Sequence, residues 1–393
     1  VGDIHVVTTG GNPVSKFAPG AVLIDRYEIK GFHAAGGMQE VYRCYDRALD
    51  RHVALKTPKD GVKDRRFRRG AEMGARVVHT NVASTFDYYE DERLTFLVEE
   101  FIEGVDLGRR LSNEFMFLDP ALAAHVVHHI ARAIHEAHRV GICHRDLKPS
   151  NIMTSGDPSL SSIKLTDFGI AKLAESEIAA EMELFDRDES TLTSSNTLLG
   201  AVPYMAPECW EDWKSAGQPM DIWALGCIAY QLLVGEPPFG YGRMAIRNVA
   251  MLSVKGITLK EPSWFGGHKA TEALETDLWK IIERCIQVDP EARPKAQEVV
   301  RACDDLLYAV ATRRTGVIQK YKMQYLDGGS GSYGYITDDA TKGEFFFHKT
   351  GYFGANKIKV GRPVSFSVYP GKPKARASPV LELREPEQDA ENL

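Results

Sequence analysis

Apolar residues recur at helical spacing in three stretches of this chain. Between residues 120 and 139, Leu122, Val126, His129, Ile130 and Ile134 fall near one face of a 3.6-residue period, which predicts an amphipathic helix. Residues 276–286 and 296–310 carry the same pattern. After Thr315 the helical signal stops. Short β-type runs take over at 316–321, 333–337, 344–348 and 363–369, separated by Gly, Asp and Pro turns. The pattern predicts an α/β front region, a small all-β region behind it, and an acidic tail too polar to pack.

Charge divides the chain at the same place. Residues 1–314 carry 37 basic and 45 acidic side chains, a net of -8, whereas residues 315–380 carry 10 and 4, a net of +6. The last thirteen residues are again acidic, with one Arg against five acids. A basic module between two acidic ones suggests a separate partner for that module. The overall charge of -6 excludes a chain-wide nucleic-acid coating but not a local basic face. At 44% apolar and 26% charged, the 393 residues can build a sizeable core. The longest apolar stretch, residues 222–234, is too short and too interrupted by Gly226 and Gln231 to span a bilayer. Residues 1–20 mix Gly, Asn, Thr and Pro without an apolar centre, so no secretory signal is expected. Six cysteines without a CxxC pair read as reduced, mostly buried thiols of a cytoplasmic protein.

The chemistry is concentrated in four short motifs. His144-Arg145-Asp146-Leu147-Lys148-Pro149-Ser150-Asn151 is followed, sixteen residues after Asn151, by Asp167-Phe168-Gly169. Ala206-Pro207-Glu208 comes later, and Val53-Ala54-Leu55-Lys56 lies upstream. In this order and spacing they resemble the protein kinase family, particularly the Ser/Thr kinases of bacteria. The resemblance covers about residues 27–308 and includes the run from Asp221 to Gly226 and Arg293. It implies an α+β, bilobal kinase fold over residues 25–312 behind a flexible segment 1–24, with ATP and Mg2+ as cofactors and a protein as substrate. By the same resemblance Asp146 accepts the proton of the attacking hydroxyl and Lys148 neutralises the transferring phosphoryl group. Asn151 and Asp167 hold magnesium, and Lys56 grips the α- and β-phosphates. Gly36, Val41, Ala54, Glu99, Glu100 and Phe101 line the nucleotide pocket, and Glu208 pairs with Arg293.

The departures from the family pattern are equally informative. The glycine-rich loop reads Ala34-Ala35-Gly36-Gly37-Met38-Gln39-Glu40-Val41, so only its middle glycine remains. Gln39 stands where a missing side chain would let backbone amides approach phosphate. Weaker or differently shaped nucleotide binding is expected. The helical carboxylate that should pair with Lys56, nine residues before His79, is replaced by Gly70. Glu72 is about 200° round the helix from it. Glu99 sits at the back of the nucleotide pocket, where an apolar residue or Thr is usual, and a buried carboxylate there needs a cation. Three arrangements follow: Glu99 replaces the helical glutamate as partner of Lys56, Glu99 points to solvent, or the register at Glu99 is shifted by one residue. Finally, Gly200-Ala201 replaces the Gly-Thr of Ser/Thr kinases, removing a hydroxyl beside the catalytic Asp and Lys.

Between Gly169 and Ala206 lies a long activation segment containing Ser190, Thr191, Thr193, Ser194, Ser195 and Thr197. Arg145 precedes the catalytic Asp, and such an arginine can bind phosphate, so autophosphorylation within this run is expected; a merely polar loop is the alternative.

Residues 315–383 resemble a cold-shock domain, a five-stranded OB-type barrel. Tyr333-Gly334-Tyr335-Ile336 matches its first RNP motif and Phe345-Phe346-Phe347-His348 the second. Alternation puts Tyr333 and Tyr335 on one strand face, and Phe346 and His348 on one face of the next. Such aromatics form a stacking platform for unpaired bases of RNA or DNA. Lys320 and Tyr321 are expected beside it, with Lys322, Lys349, Lys357 and Arg362 contacting phosphates. The same barrel could instead dock protein. Residues 384–393 complete the chain as an acidic tail. The combined expectation is a Ser/Thr kinase with a single-stranded nucleic-acid module. The alternatives are a pseudokinase scaffold binding nucleotide and RNA, and a small-molecule phosphotransferase.

Overall fold

The computed structural model describes residues 16–35, 39–59, 65–168, 200–211, 216–252, 256–326, 329–354, 357–372 and 374–385. The front of the chain builds a six-stranded sheet in the order β1-β2-β3-β4-β6-β5. Its strands are β1 (Val22–Leu23), β2 (Tyr27–Ala35), β3 (Gln39–Asp46), β4 (Arg51–Pro58), β5 (Thr85–Glu90) and β6 (Thr95–Glu100). Tyr27, Ile29, Tyr42, Cys44, Val53, Leu55, Phe96 and Val98 alternate onto one face and form its core. This upper lobe begins earlier than residue 25, because Phe17 and Leu23 are buried in that core and the Phe17 ring packs on Tyr42.

One helix, α1 (Arg65–Gly74), packs on the sheet. Phe67, Gly70, Ala71 and Gly74 lie at i, i+3, i+4 and i+7 and are buried, whereas Arg68, Arg69 and Glu72 face out. The small residues let the helix come close: a Cβ on Gly74 would stand 2.9 Å from Thr85 Oγ1.

The lower lobe is helical. It contains α2 (Leu107–Asn113), α3 (Pro120–Arg139), α4 (Pro207–Glu211), α5 (Gln218–Val234), α6 (Gly242–Ala250), α7 (Glu272–Cys285) and α8 (Ala296–Asp304). Helix α3 starts where Asp119 accepts from Leu122 N–H and Pro120 takes a position whose missing N–H costs nothing. Helix α5 is buried almost all round and forms the centre of the lobe. The pattern at 296–310 overstates its helix, which ends at Asp304; Leu307 beyond it is exposed. A small sheet of β7 (Val105–Asp106), β8 (Ile152–Thr154) and β9 (Ile163–Leu165) lies at the junction of the lobes.

Residues 313–382 close a five-strand barrel with β10 (Arg313–Leu326), β11 (Gly329–Asp338), β12 (Glu344–His348), β14 (Pro363–Tyr369) and β15 (Arg376–Glu382); the two-residue strand β13 (Tyr352–Phe353) pairs with β15. Antiparallel pairing runs β12-β11-β10-β14-β15, and a parallel pairing of Phe346 with Arg376 closes the ring. Gly334 is required inside it, since a Cβ there would meet Phe347 and the Lys320 carbonyl at 2.4 and 2.5 Å.

The barrel is docked on the lower lobe, not merely strung behind it. Arg313 and Asp119 form an ion pair at 2.5 Å with both side chains 1% exposed, and Arg313 N–H donates to Ser159 Oγ at 2.8 Å. Phe353 stacks on His268, with ring centres 4.0 Å apart, and meets Trp264 edge-on. Phe353 and Leu381 belong to the core of the lower lobe itself. Arg384 then donates through its backbone to Glu114 and through Nε to Leu111, so the chain after the barrel returns to α2. Among the described residues, Arg313 Nε and Nη1 have no partner, so the guanidinium depends on Asp119. Arg313→Met should therefore leave the buried Asp119 carboxylate without its cation and destabilise the protein by about 3–5 kcal/mol. Urea unfolding checks this, and a loss below about 1 kcal/mol would show that the pair does not anchor the barrel.

Candidate functional site

The site lies between the lobes and is set by strand register. In the β4–β6 pairing Ala54 faces Glu99 and Lys56 faces Leu97. Residues 97 and 99 share a face, so Lys56 and Glu99 are diagonal neighbours, a spacing that long side chains bridge. Lys56 Nζ lies 2.6 Å from Glu99 Oε2 and 2.8 Å from Asp167 Oδ1, with Lys56 and Glu99 each under a tenth exposed. Glu72, the other acid considered, is exposed and pairs with Arg68. Gly70 faces inward and carries no side chain to reach the lysine. Burial would lower the lysine's affinity for its proton, but Asp167 and Glu99 outweigh it and hold Lys56 charged above its ordinary range. Burial also raises the Glu99 carboxyl against the pull of Lys56. Asp167 behaves oppositely: burial pushes it up, but Lys56, Gln39 and Thr166 hold it at about 2.

The loop carrying His144 to Asn151 follows α3 after Gly141, which takes a left-handed turn at φ 76°. Buried Asp221, in the first turn of α5, accepts from the backbone N–H groups of His144 at 2.8 Å and Arg145 at 2.9 Å. His138 Nε2 lies 2.8 Å from the same carboxylate. Burial raises the Asp221 carboxyl, yet these partners keep it ionised below its usual range. Arg145 and Asp167 both have positive φ, at 69° and 63°, a strain tolerated where neighbours fix the backbone. The His144 ring bridges the two segments, with Nε2 2.9 Å from the Thr166 carbonyl and its face against Phe168.

On this scaffold Lys148 Nζ lies 2.8 Å from Asp146 Oδ2, and Asn151 Nδ2 donates to Asp146 Oδ2 at 2.9 Å. Pairing of Ile152 with Leu165 across β8 and β9 brings Asn151 to the same end as Asp167. Among the described residues there is no cluster of three or more His, Cys, Asp or Glu side chains fit to hold a metal alone. One carboxylate with one amide oxygen suits a hard cation that shares its coordination with phosphates and water. Asp167 and Asn151 could hold it.

The remaining residues divide. Val41 lies directly opposite Lys56 in the β3–β4 register, and Ala54 is buried on the same face. Phe101 is flanked by His33 and by the Arg43 guanidinium. The Glu100 carboxylate is committed elsewhere, accepting from Ser84 N–H and pairing with Lys164 at 2.8 Å, so its side chain does not serve a nucleotide. Gly36 and the run holding Ser190, Thr191, Thr193, Ser194, Ser195 and Thr197 lie outside the described residues. Ala201 lines a small cavity with Arg145, Asp146 and Tyr204. Glu208 and Arg293 form a two-pronged pair at 2.6 and 2.8 Å inside the lower lobe.

On the barrel, Tyr333, Tyr335 and Phe346 are half-buried and pack on one another, Tyr333 and Phe346 nearly parallel with centres 5.6 Å apart. His348 is the cross-strand partner of Tyr333. Lys320 and Lys322 stand opposite Tyr335 and Tyr333. Tyr321 is a correction. It pairs with Gly334 and stacks on Phe347 in the barrel core. A bulge between Ile318 and Lys320 inverts the alternation, turning Lys320 out and Tyr321 in. Arg362 is likewise occupied, by Glu382 and Glu385. Sequence reading missed Lys374, whose ammonium pairs with Glu344 and lies 5.2 Å from the centre of the Tyr335 ring. It also missed the clamp made by Asp221, although the run containing it was noted.

Comparison with known proteins bears on this geometry. Residues 27–302 match the family described as protein kinase domain. The Ser/Thr-protein kinase PrkC of Bacillus subtilis is 34% identical over 288 residues, 72% of this chain and 40% of that protein. The Ser/Thr-protein kinase PknB of Mycobacterium tuberculosis is 31% identical over 290 residues, 71% of this chain and 42% of that protein. The chain thus spans about two fifths of the length of these curated relatives. No helix among the described residues is long and apolar enough to cross a membrane.

Removing Glu99 leaves Lys56 short of one of its two anions. In assays with radiolabelled ATP, Glu99→Ala should lower phosphate transfer by roughly 10²–10³-fold, whereas Glu72→Ala should match the wild type. The reverse ranking would show that the lysine is served from the helix.

Proposed function

Because this chain belongs to the protein kinase family, we propose that it is an ATP-dependent Ser/Thr protein kinase carrying a nucleic-acid-binding barrel. The observation that carries the kinase reading is the set Asp146, Lys148 and Asn151, bonded to one another on a loop that Asp221 fixes from beneath. Bound ATP supplies the phosphoryl group, and a divalent cation, magnesium in this reading, supplies charge neutralisation for its transfer. Asp146 accepts the proton of the substrate hydroxyl and aims its oxygen at the γ-phosphate. Lys148, 7% exposed beside it, offsets negative charge on the group in transfer. Lys56 grips the α- and β-phosphates, steadied by Glu99, and Val41, Ala54 and Phe101 border the base. Asp167 and Asn151 hold the cation. Ser or Thr is favoured as acceptor because Lys148 occupies the place beside the hydroxyl. Autophosphorylation between Ser190 and Thr197, read by Arg145, belongs to the same proposal.

Transfer of labelled phosphate to the chain itself or to a generic protein substrate should vanish in Asp146→Ala. Retention of ATP binding with no transfer by the wild type would favour a nucleotide-binding scaffold. Gln39 donating to Asp167 in the cleft at 2.9 Å is the observation on which that second reading draws.

For the barrel we read the ligand as single-stranded RNA or DNA, in an OB-type, cold-shock-like arrangement. What supports this is the cluster of Tyr333, Tyr335 and Phe346 with Lys320 and Lys322 opposite the two tyrosines. Flat rings accept bases without regard to sequence, and the lysines follow the backbone. Tyr333→Ala combined with Phe346→Ala should weaken binding of a labelled oligonucleotide by about 1–3 kcal/mol for each stacked base lost. Affinity should also fall with rising salt. Salt-independent binding, or none, would turn the reading toward a protein-docking barrel.

A further inference from the structure

Gln39 occupies the position at which the last glycine of a kinase glycine-rich loop would stand. It opens β3, and the register pairs it with Pro58 and pairs Val41 with Lys56. Residues 39 and 41 share a face, so Gln39 points into the cleft beside the lysine. Across the cleft its Nε2 donates to Asp167 Oδ1 at 2.9 Å, on the same oxygen that receives Lys56 Nζ. An amide can approach a carboxylate favourably only through its NH2 end, so this contact fixes which end faces Asp167. The other end is left over. Gln39 Oε1 is buried and has no hydrogen-bond partner among the described residues. Buried carbonyl oxygens ordinarily have one.

We propose that Gln39 is a ligand of the divalent cation, its Oε1 adding a third protein oxygen to those of Asp167 and Asn151. This rests on the kinase reading, which is what calls for a cation here. The chemistry fits, because magnesium and manganese take carboxylate and amide-carbonyl oxygens together. A neutral oxygen adds a ligand without adding charge to the pair of carboxylates, Glu99 and Asp167, already gathered around Lys56. The Nε2 bond to Asp167 orients the amide before the cation arrives, as partners of metal ligands commonly do. The substitution thus trades a backbone approach to phosphate for a side-chain hold on the cation.

The test uses the full chain with Mn2+ and a non-hydrolysable ATP analogue, reading free Mn2+ by electron paramagnetic resonance. Gln39→Leu, which keeps bulk and removes the amide, should weaken Mn2+ binding to the nucleotide complex by about tenfold. Its affinity for the analogue without metal should stay at the wild-type value. Gln39→Glu, which keeps an oxygen and adds charge, should tighten Mn2+. Unchanged Mn2+ affinity in Gln39→Leu would overturn the inference while leaving the kinase reading intact. Tighter Mn2+ binding in that variant would also overturn it, showing that Gln39 shields Asp167 from the cation. Should Gln39→Leu fail to fold, weaker Mn2+ binding by Gln39→Glu would overturn the inference just as well. A wild type that binds no Mn2+ with the analogue would defeat both readings.

Discussion

A single ammonium group, Lys56 Nζ, bridges two carboxylates at the meeting point of the lobes, the buried Glu99 and the partly exposed Asp167. Its distances to Glu99 and Asp167, 2.6 and 2.8 Å, leave no place for solvent between them. Burying the charges of Lys56 and Glu99 is costly, and the arrangement stands because Lys56 has both anions, Glu99 has the lysine, and Asp167 is held by Lys56, Gln39 and Thr166. Glu99 belongs to the upper sheet and Asp167 to the lower lobe, so the same group that would grip phosphate also ties the two halves together. The excess negative charge suits a site awaiting a divalent ion.

Building this triad inside the sheet changes what the neighbouring helix must do. Where the carboxylate is helical, displacement of the helix breaks the pair, and kinases use that as control. Here the partner is fixed by the β4–β6 register. Helix α1 is released from the task and presents Gly70, Ala71 and Gly74, which settle it closely on β5 and β6. The lower lobe holds its loop by equally local means. Helix α3 is capped at one end by Asp119, which the barrel's Arg313 also engages, and near its other end by His138 on Asp221. The barrel, the lobe core and the catalytic loop therefore share one helix as a common support.

Much of this was legible in the residues. The four motifs located the catalytic loop and Asp167, and the absent carboxylate at Gly70 made a buried Glu99 intelligible because a buried acid needs a cation. The Pro120–Arg139 helix was readable from its period and from the Asp-Pro start. Long-range or parity-dependent features were not. Tyr321 was misassigned because one extra residue in β10, between Ile318 and Lys320, turns Lys320 out and Tyr321 in. The partner of the Glu100 carboxylate, Lys164, lies sixty-four positions on and left no mark on the local sequence. The docking through Arg313, Phe353 and Arg384 left no trace in composition, since each is an ordinary residue until the partner surface is known.

On this reading Glu99 does from the sheet what a helical glutamate would do. Moving the carboxylate tests it most directly, by comparing phosphate transfer in Glu99→Thr with transfer in the same variant carrying Gly70→Glu. Transfer should be lost in the first and partly recovered in the second, because the anion then reaches Lys56 from α1. Full transfer by Glu99→Thr alone would contradict it, since Lys56 would then need no anion from the sheet.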